Sequence, residues 1–145
     1  MSVRSARWIC RACFGLVFVW NVLCALRFVM APADFAGAYQ LEGVPGEVAV
    51  RGMGVAFLMW NATYPLFLWQ PERFKVLGWV IAAQQLIGCV GEAFILCALP
   101  VGGFELLAAS IQRFLIFDAA GLGLMILSGA CFLHRLSRVR EDRRA

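Results

Sequence analysis

Four long apolar runs, separated by short segments rich in proline, glycine and charge, constrain this chain more than any other feature. They cover residues 8–30, 48–69, 76–99 and 107–133. As an α-helix, each run is long enough to cross a hydrocarbon core of roughly 30 Å. Apolar residues make up 62% of the chain and charged residues only 15%, and a soluble domain of this size has too little interior to enclose so much apolar surface. We therefore expect one all-α domain over residues 1–145, a transmembrane four-helix bundle.

The positive charges predict how this bundle lies in a membrane. Nine of the thirteen Lys and Arg residues fall in residues 1–7, 70–75 and 134–145, whereas residues 31–47 and 100–106 contain none. Because cytoplasmic loops carry the excess of Lys and Arg, we expect both termini in the cytoplasm and the lipid bilayer as the main partner. The basic residues lie at chain ends and in one short turn, so no nucleic-acid partner is expected.

The third run contains the stretch Gln84–Glu92, in which amides, glycines and an acid interrupt the apolar sequence. Gln85, Gly88 and Glu92 fall on one side of a helix because their spacing follows the helical repeat. A carboxylate is costly in hydrocarbon, so this side is expected to face other protein or water.

Charged residues of the neighbouring runs lie at depths from which they can meet this side. Arg51 is near the outer start of the second run, and Arg113 is about two turns into the fourth. We expect a polar pocket that opens outward, with Arg51 or Arg113 paired to Glu92. Arg27 is expected to reach the headgroups instead. Arg113 and Asp118 point about 140° apart, so their spacing predicts that they do not face one pocket through the same stripe.

These depths and helix faces give the candidate ligand-binding residues, which are Arg51, Asn61, Tyr64, Gln85, Glu92, Arg113 and Asp118. The two arginines would hold an anion, Glu92 would orient them, and the rings of Trp60, Tyr64 and Phe117 would supply apolar contact. The alternative is structural, because buried polar pairs also hold helices together in lipid. Pro65 is expected to kink the second span, since it lacks a backbone N–H.

The sequence offers little for catalytic or metal chemistry. His134 is the single histidine, and Cys10 and Cys13 form a CxxC on the side expected to be reducing. We therefore expect no metal, no cofactor and no catalytic residues.

Four short segments carry a resemblance to a known family: Arg51-Gly-Met-Gly, Met59-Trp60-Asn61-Ala-Thr-Tyr64-Pro65, Gln84-Gln85 with Gly91-Glu92, and Arg113-Phe114 with Phe117-Asp118. Over residues 28–130 the chain resembles the small BphX-like membrane proteins, within the wider DoxX-like group of four-span proteins. The resemblance implies a multi-pass protein of the bacterial inner membrane whose activity is not settled. The DoxX-like group includes subunits of membrane redox complexes, but this chain lacks a cofactor-ligand pattern that would carry that role over.

Three functions follow as hypotheses. The first is binding, or helping to transport, an anionic or amphipathic small molecule or a lipid in the outward-facing pocket. Four spans are few for an independent transporter, so a homo-oligomer or a larger membrane complex is expected to contain it. The second is a structural or assembly subunit of a membrane complex. The third is a membrane enzyme acting on lipid or quinone, with Glu92 or Asp118 as acid or base; it ranks last because no nucleophile and base stand at a recognisable spacing.

Overall fold

The computed structural model of the protein describes residues 2–142, and every regular element among them is a helix. In chain order these are α1 (Val3–Met30), α2 (Ala33–Ala36), a 3-10 turn (Gly37–Tyr39), α3 (Gly43–Asn61), α4 (Tyr64–Trp69), α5 (Lys75–Ala98) and α6 (Glu105–Asp142). Three of them, α1, α5 and α6, are long and apolar enough to cross a membrane. The predicted all-α fold is thus confirmed. The basic tail is helical as far as Asp142, and residues 143–145 of that predicted tail lie outside the described residues.

The second predicted span, residues 48–69, is divided between α3 and α4 because of Pro65. A proline here lacks the N–H that would donate to the carbonyl of Asn61 four residues earlier, and its ring crowds that carbonyl. Accordingly α3 ends at Asn61, the N–H of Ala62 donates to the carbonyl of Met59 at 3.3 Å, and Pro65 lies in the first turn of α4. The expected kink is therefore a complete break between two helices.

Two apolar clusters follow each other along α1, which packs against α3 and α6. Helix α5 packs against α6, and α4 contacts both α1 and α5. The first cluster includes Phe14, Phe67 and Met125, with the two phenylalanine rings 4.5 Å apart. The second is built around Phe28 and Val50. Among the buried polar residues are the amides Asn61 and Gln85, which belong to neither cluster.

The outward faces of the long helices are apolar. Phe94 and Leu127 each expose 74% of their surface, whereas the amide side chains of Asn61 and Gln85 are 3% and 2% exposed. A water-soluble protein shows the opposite arrangement, with large apolar side chains enclosed and amides outside. The packing of this chain therefore suits apolar surroundings.

Candidate binding cavity

A cavity of about 430 Å³ lies between α1, α3, α5 and α6, and Phe35 of α2 also lines it. Its polar lining comes from Asn21, Arg27, Asn61, Gln85, Arg113 and Asp118. Its aromatic lining comes from Trp20, Phe35, Phe57, Trp60, Phe114 and Phe117. A largely apolar wall with a few convergent polar groups, in a volume of this order, is typical of small-molecule sites.

Four of the candidate residues line this cavity together: Asn61, Gln85, Arg113 and Asp118. The predicted aromatic contacts Trp60 and Phe117 line it as well. Both Arg113 and Asp118 line this cavity, and because they point about 140° apart they do so from different stripes of α6, as their spacing predicts. The two residues differ in height by about 7.5 Å along α6, and the cavity extends far enough to meet two different stripes of that helix.

Two of the other candidates make structural contacts outside the cavity. Arg51 is exposed on α3, and its Nε donates to the backbone carbonyl of Val29 at 3.2 Å, which ties α3 to the end of α1. Tyr64 is fully buried. Its hydroxyl donates to the sulfur of Met125 at 3.7 Å, and its ring stacks on Phe18 with 5.5 Å between centroids. Both side chains therefore hold helices together and do not line the cavity.

Glu92 is half-buried on α5 and also lies outside the cavity lining. Its Oε2 is enclosed and has no hydrogen-bond partner. Among the side chains that the structure describes, the one salt bridge joins Arg7 to Glu72 at 3.1 Å. The predicted pairing of Glu92 with Arg51 or Arg113 is thus not formed there, because Arg51 bonds to Val29 on α1 and Arg113 faces the cavity, which Glu92 does not line.

Two arginines supply positive charge at the end of the cavity nearest α2. The Nε of Arg113 donates to the carbonyl of Ala109 at 3.3 Å and its Nη2 donates to the hydroxyl of Ser110 at 3.3 Å. Ser110 in turn donates to the carbonyl of Ala38 at 2.8 Å. Because a guanidinium carries several N–H donors, Arg113 keeps some of them for an anion. Arg27, which the sequence assigned to the headgroups, lines the cavity from the last turn of α1.

Amides and a carboxylate gather at the deeper end. The Nε2 of Gln85 donates to the backbone carbonyl of Asp118 at 3.3 Å, which joins α5 to α6. The Nδ2 of Asn61 donates to the carbonyl of Phe57 at 2.8 Å, while its Oδ1 is buried without a partner. This end of the cavity is therefore rich in hydrogen-bond acceptors.

The covering segment, residues 31–42 between α1 and α3, lies over the end of the cavity near the arginines. Phe35 lines the cavity from this segment. Gln40 has a left-handed φ of 54°; its Nε2 donates to the carbonyl of Gly103 at 2.8 Å and its Oε1 accepts from the N–H of Leu107 at 3.2 Å. The side chain of Gln40 thereby ties this covering segment to the start of α6.

Tyr39 lies in the same covering segment, with its ring 6.4 Å from that of Phe114. Burial raises the pKa of its phenol, repulsion from the ionised forms of Cys24 and Glu92 adds to the increase, and Arg113 opposes it. The phenol therefore stays neutral at ordinary pH and adds no negative charge beside Arg27 and Arg113.

Asn21, Arg27 and Trp20 line the cavity but were not among the candidate residues. Asn21 interrupts the first apolar run just as Asn61 interrupts the second, and an intramembrane polar residue is a signal that could have selected it. The ring of Trp20 stacks on that of Phe117 with 5.3 Å between centroids. Sequence spacing could not predict this contact, because it joins side chains of two different helices, α1 and α6.

One thiol, that of Cys24, belongs to the cavity lining. All six cysteines are free, including Cys10 and Cys13 of the CxxC. Within residues 2–142, no three or more His, Cys, Asp and Glu side chains gather closely enough to hold a metal ion.

Comparison of the chain with protein-family models, with curated proteins and with solved structures finds no match.

Proposed function

We propose that this protein is a four-helix transmembrane bundle of a bacterial inner membrane that binds an anionic, amphipathic small molecule or a lipid in the cavity between its helices. Both termini would lie in the cytoplasm, and α2 would lie at the outer surface. Membership of the BphX-like family remains a prediction from the resemblance.

The proposal of a multi-pass topology rests on the apolar outward faces and on the distribution of charge. Helices α1, α5 and α6 each have the length and composition of a span. We infer that α3 and α4 together make the fourth crossing, because a break inside a span is tolerated where neighbouring helices cover it. The excess of Lys and Arg at the end opposite α2 favours a cytoplasmic location for that end.

The observation that carries the binding function is the pair of guanidiniums from Arg27 and Arg113 at one end of an aromatic-walled cavity of about 430 Å³. A carboxylate or phosphate would accept charge-assisted hydrogen bonds from them. The aromatic walls would remove the apolar part of the same molecule from water, at roughly 25 cal/mol for each Å² buried. An anion with an apolar body satisfies both parts of the cavity.

Binding of octanoate to the full-length protein in nanodiscs tests this function. We expect saturable binding of octanoate and weaker binding of 1-octanol, which lacks the charge. Arg27→Gln and Arg113→Gln should each weaken octanoate binding about threefold to tenfold, because each removes one partly exposed charge partner worth about 1 kcal/mol.

Arg51→Gln is the matched control, because Arg51 is an exposed arginine outside the cavity lining. This variant should bind octanoate like the wild type, and empty nanodiscs correct for partition into lipid. Equal affinity of all three variants, or equal binding of octanoate and 1-octanol, would contradict a charge-selective site.

The two other functions considered from the sequence stay predictions. An assembly subunit would co-purify with a partner and show no saturable octanoate binding. An enzyme acting on lipid or quinone would lose turnover in Glu92→Gln or Asp118→Asn while its fold persists. The octanoate measurement separates the first of these from the proposed binding function.

A further inference from the structure

The deeper end of the cavity carries a buried hydrogen-bond acceptor, the Oδ1 of Asn61, that nothing in the described residues satisfies. The Nδ2 of Asn61 donates to the carbonyl of Phe57 at 2.8 Å. A carbonyl can only accept, so this bond fixes which way the amide faces. The Oδ1 of Asn61 is then left buried without a partner, although the residue is only 3% exposed and lines the cavity. An unpaired buried acceptor of this kind is costly, so a donor is expected at this position.

Asp118 adds a carboxylate to the same end of the cavity. Its backbone carbonyl accepts from Gln85 at 3.3 Å. Among the described side chains, however, the carboxylate forms no salt bridge. Arg113, the nearest arginine along α6, bonds instead to Ala109 and Ser110. The side-chain amide of Gln85 also lies within hydrogen-bonding reach of the carboxylate, whose two oxygens accept more than one bond and so leave capacity for a donor inside the cavity.

The two ends of the cavity differ in charge and are separated by a definite length. Arg113 and Asp118 are five residues apart on α6 and Arg27 and Asn21 six residues apart on α1, which corresponds to about 7.5 Å and about 9 Å of helix. Between the two levels the wall is apolar, with Phe114 and Phe117 among its residues. The site therefore has a cationic end, an apolar middle and an acceptor end.

We infer that the cavity selects a bifunctional ligand: an anion whose apolar body ends, about 8–10 Å from the anionic group, in a hydrogen-bond donor such as an ammonium or a hydroxyl. This inference rests on the proposed binding function and names the class of molecule for the same site. The anionic group bonds to Arg27 and Arg113, and the donor at the far end bonds to the Oδ1 of Asn61 and the carboxylate of Asp118.

Three probes of the same chain length test this inference in nanodiscs: octanoate, 8-hydroxyoctanoate and 8-aminooctanoate. The wild type should bind 8-aminooctanoate about tenfold more tightly than octanoate, with 8-hydroxyoctanoate between them, because a bond to an ionised group is stronger than a neutral one. Asp118→Asn should remove the preference for the ammonium while its affinity for octanoate stays within about twofold, since octanoate has no group that reaches Asp118.

Glu92→Gln is the matched control, a half-buried carboxylate on α5 outside the cavity lining, and it should keep the full preference. Octanoate binding reports that each variant is folded. Equal affinity of the wild type for all three probes overturns the inference and leaves the proposed function standing, because water would then satisfy the acceptors. A preference that survives Asp118→Asn also overturns it. Absence of octanoate binding in the wild type overturns both proposals.

Discussion

Gly88 of α5 lies directly against the indole ring of Trp60, a contact that defines one wall of the cavity. A Cβ added at this position would lie 2.8 Å from Cη2 of that ring and 3.7 Å from Oδ2 of Asp118. The first distance is too short for two carbon atoms, so a larger residue must displace the ring.

We predict that Gly88→Ala lowers the stability of the protein by about 1–3 kcal/mol relative to Gly91→Ala, because overpacking a contact costs about this amount. Gly91 is the matched control: it lies on the same helix with nothing within 4 Å of an added Cβ, and both changes gain about 1 kcal/mol of helix propensity. Thermal unfolding in the same nanodiscs measures the difference. Equal unfolding midpoints for the two variants would mean that the ring of Trp60 does not pack closely against Gly88 of α5.

The sequence predicted the amides Asn61 and Gln85 and the carboxylate Asp118 of the cavity. Of its two arginines, it predicted Arg113 and missed Arg27. Asn61, Gln85 and Asp118 were selected because polar groups in apolar runs avoid lipid, and this physical reason is independent of packing. Arg27 and Arg51 lie at comparable depth, and only the rotation of α1 and α3 about their axes distinguishes them. That rotation is set by contacts between helices, which sequence spacing does not contain.

At the scale of helices, α3 lies close against the backbone of α1 at Gly54. An added Cβ would lie 2.8 Å from the backbone oxygen of Ala25, 2.8 Å from Cγ2 of Val29 and 2.9 Å from Cβ of Phe28. A backbone oxygen and a Cβ cannot turn aside as the end of a side chain does. A larger residue at position 54 would therefore have to move the whole of α3 away from α1.

We predict that Gly54→Ala destabilises the fold by about 1–3 kcal/mol or more, because it forces two packed helices apart. Gly52→Ala, two residues earlier on α3 with nothing within 4 Å of an added Cβ, should be neutral or slightly stabilising. Unfolding midpoints of the two variants under one set of conditions give the comparison. A Gly54→Ala protein as stable as Gly52→Ala would show that α1 and α3 are farther apart than the structure has them.

The break between α3 and α4 was foreseeable from Pro65, but its consequence was not. The missing N–H of a proline predicts a disturbed helix wherever the residue lies inside a span. Its location places Asn61 at the last position of α3, where the side chain lines the cavity. The sequence singled out Pro65 and Asn61 for separate reasons. The fold connects them, because the proline ends α3 at Asn61.

At the scale of the whole molecule, the order of the helices around the cavity determines what the cavity contains. Helix α1 packs against α3 and α6, and α5 packs against α6. The cavity consequently takes its cations from α1 and α6 and its amides from α1, α3 and α5. Four apolar runs alone are compatible with several orders, so the sequence could predict that these runs are helical and not the set of side chains that meet.

The proposed orientation in the membrane gives the last prediction. Residues 31–47, which include the covering segment, contain no Lys or Arg, whereas residues 134–145 contain five arginines. Since translocation of positively charged segments is disfavoured, the carboxyl terminus should remain in the cytoplasm. A green fluorescent protein fused after residue 145 should fluoresce in a bacterial host, and alkaline phosphatase fused at the same point should be inactive.

Fusions after Pro100, between α5 and α6, supply the matched comparison, and they should show active phosphatase and no fluorescence. The cavity end that carries Arg27 and Arg113 would then face outward, where it can take up an anion from outside the cytoplasm. The reverse pattern at both points would invert the bundle, and the same cavity would have to be filled from the cytoplasm. Identical behaviour of the two fusion points would contradict a crossing by α6 itself, because this helix alone separates them.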